Sequence, residues 1–106
     1  MPRGLPLDLA AFRKTFVDDE PPSGLSRHLR ALWYAGNQYW ERAHALIQTQ
    51  DDADSCLIHA HLHRLDGDLP NAAYWYARAG RGVPDCDTET EWEQIVQALL
   101  ARDATS

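Results

Sequence analysis

The sequence predicts an all-α fold of about six helices arranged in antiparallel hairpins, closed by a C-terminal capping helix. Three observations predict it. Apolar residues recur at helical spacing along most of the chain, no stretch keeps the strict alternation of a half-buried strand, and breakers such as Pro21-Pro22, Gly36, Gly67 and Gly80-Arg81-Gly82 divide the chain into helix-length segments. A chain of 106 residues fits one domain. Residues 1–22 are read as an N-terminal helix and linker, 23–80 as two hairpins and 88–103 as the capping helix.

The first predicted helix, 7–18, carries the stripe Leu9, Phe12, Phe16 and stops at Asp18-Asp19-Glu20-Pro21-Pro22, because proline pushes its predecessor out of the α region. It is expected to be the most loosely held. The second, 23–36, carries Leu25, Leu29, Leu32 and Trp33 and is expected to stop at Gly36 as a left-handed residue. The third, 38–50, follows closely with Trp40, Ala43, Leu46 and Ile47, so the two should be antiparallel neighbours. Asp51-Asp52-Ala53-Asp54 can cap a fourth helix, 53–66, which is apolar nearly all round and therefore central. Asp68 caps a fifth, 70–80, with Pro70 in the first turn where its missing N–H costs nothing. Thr88-Glu89-Thr90-Glu91 reads as a capping box before the sixth, 88–103, whose stripe is Trp92, Ile95, Val96, Leu99 and Leu100. The stripes nominate Leu29, Leu32, Ala43, Ile47, Leu62, Ala72, Tyr76, Ile95 and Leu99 as core.

Ten Lys+Arg against sixteen Asp+Glu leave a net charge of −6, which offers no counterion release on a phosphate backbone, so no nucleic-acid partner is expected. A hydrophobic content of 44% is enough to bury a core and argues against wholesale disorder. Two cysteines, Cys56 and Cys86, do not make a disulfide framework, which fits a reducing, cytoplasmic setting. The first six residues contain no apolar signal region and no run is long enough to span a bilayer, so neither export nor a membrane is expected. There is no phosphate loop, Cys-x-x-Cys pair or Gly-x-Ser-x-Gly elbow, so no catalytic residue is assigned and no cofactor is expected.

Shifting the chain on itself by 29 residues superposes Trp40-Glu41-Arg42-Ala43 on Leu69-Pro70-Asn71-Ala72, and Ile47 on Tyr76. In the second copy, Gly67-Asp68-x-x-x-Ala72-x-x-x-Tyr76-x-x-Ala79 resembles the second half of a tetratricopeptide repeat, and Trp75-Tyr76-Ala77-Arg78-Ala79 is similar to the close of a Sel1-like repeat. The resemblance covers roughly residues 25–80. A longer string, Trp40-x-x-Ala43-His44 followed by His59-Ala60-x-Leu62-His63-Arg64-x-Asp66-Gly67-Asp68-x-x-Asn71-Ala72-x-Tyr74-Trp75-Tyr76, resembles a group of small, mainly bacterial proteins to which no activity attaches. The resemblance implies a right-handed tetratricopeptide-like stack and, with it, a non-catalytic module that binds a peptide, a protein or another copy of itself. In that alignment Asp54, Leu57, His61 and Arg64 correspond to groove-lining positions.

The residues themselves offer an alternative. His59 and His63 lie four apart, about 40° on the helical wheel, and His44 comes level with residues 60 and 61 if the third and fourth helices are antiparallel. His61 points about 160° from each of the other two on helix four. Hydrogen-bonded interior histidines are the preferred reading, ahead of a ligand or general-base role and ahead of metal. The alternative pocket comprises His44, His59, His63, Asn71, Tyr74 and Trp75, in a small-molecule or metal-binding protein with enzymatic activity conceivable. Arg64 is expected to pair with Asp68 or Glu41, or to clamp an anion. Because Tyr74 and Trp75 are adjacent, one of them should line a groove or an oligomer surface.

Overall fold

The structure, a computed structural model, describes residues 7–104, with side chains through Asp103. The segment 1–6, read above for the absence of a signal, and residues 105–106 lie outside the described residues. Among those described there are six α-helices and no strand: α1 (Leu9–Lys14), α2 (Arg27–Gly36), α3 (Trp40–Ile47), α4 (Ala53–Leu65), α5 (Leu69–Arg78) and α6 (Thr88–Ala104), with a 3-10 turn over Thr15–Val17 extending α1. The all-α class follows directly. Two hairpins, α2/α3 and α4/α5, pack through α3 on α4, and α6 lies across α2 and α4.

The caps explain most boundaries. Ser26 accepts from Leu29 N–H, Asp52 from Ser55 N–H and Asp68 from Asn71 N–H, each satisfying a first-turn donor. Gly67 follows α4 at φ +77°, where a side chain would be strained. α2 starts at Arg27 rather than 23 and α3 ends at Ile47 rather than 50, and at two boundaries the residue that does the capping or stopping differs from expectation. Gly36 belongs to α2, and the left-handed residue is Gln38 at φ 67°. What Gly36 provides is closeness: a Cβ there would sit 2.7 Å from Phe16 and 2.8 Å from Trp92. At α6 the first-turn donor Thr90 N–H goes to Asp87 Oδ1, so Asp87 is the cap, and Glu91, expected to close a capping box, turns inward instead.

One apolar cluster draws on all six helices, and the nine nominated core residues are all buried. The first helix is better anchored than expected. Phe12 is fully buried with its ring 6.0 Å from Trp92, and Phe16 meets Trp33 and Trp92 edge-on. Trp33 donates to Thr15 Oγ1 at 2.9 Å and Trp92 to the Leu32 carbonyl at 2.9 Å, so both indole N–H groups are satisfied. The middle of α4, from Ser55 to Leu62, is buried on every side, which is why its one-sided amphipathic signal is weak. No described helix is long and apolar enough to cross a membrane.

Candidate functional site

Trp40, at the start of α3, donates its indole N–H to the Leu62 carbonyl near the end of α4 at 2.6 Å, which locks the two helices antiparallel. That register brings His44 against α4. His44 Nε2 lies 3.1 Å from His59 Nε2, and ring nitrogens of His44, His59 and His63 all fall within 4.8 Å of one another. His59 sits deepest, at 4% exposure, while His44 and His63 are half-buried above it. Trp75 from α5 stacks on His59 at 4.0 Å with 16° between planes, and Trp40 stacks on His44 at 4.7 Å and 12°. His63 stacks on His59 at 4.9 Å and meets Trp40 edge-on at 5.8 Å. Two tryptophans thus hold the rings in place.

Two of the imidazoles, His59 and His44, are tuned towards the neutral form. Burial, and then the neighbouring His44 and His63, pull His59 down to about 4; burial and His63 also lower His44. Neutral imidazole is the form that ligates metal. The Nδ1 atoms of His59 and His63 are buried without a hydrogen-bonding partner, so the expectation of fully hydrogen-bonded interior histidines meets two unsatisfied nitrogens. Two nitrogens each 2.0–2.1 Å from a tetrahedral zinc ion lie about 3.3–3.4 Å apart, so the 3.1 Å His44–His59 pair is already within a few tenths of an ångström of chelating distance. Of the other residues assigned to this pocket, Asn71 donates its side-chain amide to Asp68, and Tyr74 is 54% exposed with its hydroxyl accepting from Arg78. Trp75 is the member of the adjacent aromatic pair that enters the pocket.

The four residues aligned with a repeat groove face α6. His61 is fully buried and its Nδ1 lies 2.7 Å from Glu91 Oε1; Arg64 binds the same oxygen at 3.0 Å and also the Cys86 carbonyl. Asp54 pairs with Arg102, and Leu57 is buried. The opening left beside Asp54 and Leu57 is a cleft of about 130 Å³ shared with Tyr76, Arg81 and Ile95, well short of the roughly 300 Å³ at which small-molecule pockets begin. Arg64 therefore answers neither Asp68 nor Glu41. Its partner, Glu91, also accepts from the Tyr76 hydroxyl at 2.5 Å and is 3% exposed. Burial alone would raise the Glu91 carboxyl, but hydrogen bonds from His61 and Tyr76, the charge of His61 and the bond from Arg64 outweigh it and hold the group below its usual range. The ionised oxygen accepts, so His61 Nδ1 donates and its buried Nε2 has no partner.

A second potential cation cluster, His28, Asp52 and Asp54, is already committed. His28 Nε2 contacts Asp52 at 2.8 Å and Ser55 Oγ at 3.1 Å, Asp52 caps α4, and Arg102 takes Asp54. That leaves the trio as the site with donors to spare.

No family model matches this chain, and neither a curated protein nor a solved structure matches it. An all-α protein with a tryptophan-walled histidine trio is the class that fold and site define.

Proposed function

We propose that this is a small transition-metal-binding protein whose ligands are His44, His59 and His63. The observation that carries the reading is the convergence of three ring nitrogens within 4.8 Å, on two helices, around a buried His59 whose neutral form is favoured. Imidazole sets of this kind suit zinc, copper and nickel rather than magnesium or calcium, which take oxygen. Zinc is the expected occupant, since small inward movements of two half-buried rings complete three corners of a tetrahedron. The test is metal analysis and competition titration of the purified chain. About one zinc per chain is expected, lost in His59→Ala and in His44→Ala and kept in His28→Gln. Binding that survives both trio substitutions, or none in the parent, overturns the reading.

A second reading, an interaction module that docks a protein or another copy of the chain in the cytoplasm, has its own observation. Tyr39, Leu65 and Leu69 are 51%, 43% and 61% exposed. The Trp40–Leu62 bond puts the start of α3 beside the end of α4, and Leu69 opens the next helix just beyond Gly67, so the three share one end of the stack. The face of α4 that would line a repeat groove is taken by α6, so this reading rests on the exposed end and not on the groove.

A further inference from the structure

We infer that the histidine centre leaves one coordination position vacant on a tetrahedral ion, and that this position takes a small exogenous anion. The inference rests on the metal-binding reading and extends it to the chemistry of the fourth ligand.

The donor count is the first argument. Among the described residues, no cysteine, aspartate, glutamate or further histidine joins the trio at ligand distance. The walls cannot supply a lone pair either. An indole nitrogen only donates, and that of Trp40 is committed to the Leu62 carbonyl, while Trp75 presents a ring face to His59. Helix α5, the third side of the site, contributes an aromatic plane against His59 and no ligand atom.

Charge is the second argument. Three neutral imidazoles leave a divalent ion with its full charge, and His59, at the floor, is 4% exposed. A cation held against indole rings without a carboxylate is poorly compensated, so an anionic fourth ligand is favoured over a neutral one. Access is the third. His44, His63, Trp40 and Trp75 are all partly exposed, so the trio lies near the surface with His59 as its deepest member. A monodentate anion of a few atoms, such as hydroxide or a compact carboxylate, matches the charge and can reach the partly exposed rings.

Cobalt(II) is the appropriate probe because it occupies zinc-type nitrogen sites and its visible absorption reports coordination. The full chain is loaded with cobalt, the metal content is measured, and sodium azide is added while the spectrum is followed. The expected result is one cobalt per chain and a saturable shift of the cobalt bands with one azide bound per metal. If cobalt binds and the spectrum is unchanged at saturating azide, the fourth position is closed by the protein and this inference is overturned while the metal-binding reading stands. If no cobalt or zinc binds at all, the metal-binding reading fails and the inference falls with it.

Discussion

His59 is the residue at which burial, stacking and electrostatics act on one ring. Its acidity in the folded chain, near 4, lies below the ordinary 6.5, so between those values the unfolded chain takes up a proton that the folded chain refuses. Stability should therefore be complete above pH 6.5 and fall as the pH drops towards 4. In urea denaturation of the metal-free protein, the midpoint should decline across this window, and the decline should be shallower in His59→Gln. Equal slopes for parent and variant would mean that His59 is not held neutral. Much of this residue's setting was legible in sequence: the spacing of His59 and His63 put them on one face, and antiparallel α3 and α4 brought His44 level. Sequence could not tell that Trp75, rather than Tyr74, stacks on His59, because that depends on the rotation of α5 about its own axis.

At the scale of elements, one buried carboxylate on α6 ties it to the α4/α5 hairpin, beside the contacts of its apolar stripe. Glu91 collects His61, Arg64 and Tyr76 from the α4/α5 hairpin, and no other single side chain ties α6 to both of those helices by hydrogen bonds among the bonds described here. Removing it strands a guanidinium and an imidazole, a loss that for buried pairs runs to about 3–5 kcal/mol. Glu91→Ala should lower stability by that order in chemical denaturation, while Glu89→Ala, on an exposed side chain, should change it little. A loss below about 1 kcal/mol for Glu91→Ala would show that α6 is held by its apolar stripe alone. Nothing in the local pattern marked Glu91 as interior. Thr88-x-x-Glu91 satisfies the sequence pattern of a capping box, and the alternative emerges only because Asp87 performs the capping and frees Glu91 to turn towards α4. Gly36 illustrates the same limit: it reads as a helix stop, yet its use is to let Phe16 and Trp92 approach the backbone of α2.

For the molecule as a whole, the question is which surface is left for a partner. Docking of a second copy on the end formed by Tyr39, Leu65 and Leu69 should appear as a concentration-dependent mass in sedimentation, abolished by Leu69→Asp with the helical circular dichroism retained. A chain that stays monomeric at all concentrations, and a Leu69→Asp variant that behaves identically, would remove self-association from consideration. The sequence by itself determined the helical class, the order of the helices, their approximate limits and the inward residues, because helical periodicity, Asp and Ser caps and Pro or Gly breakers act over a few neighbouring residues. Only the tertiary structure decided that α6 fills the face where a repeat groove would lie, that Glu91 is its buried anchor, and that three histidines and two tryptophans close into one site. Those outcomes depend on the rotation and crossing of helices packed side by side, and such distances join residues 15 to 30 positions apart that no local pattern relates.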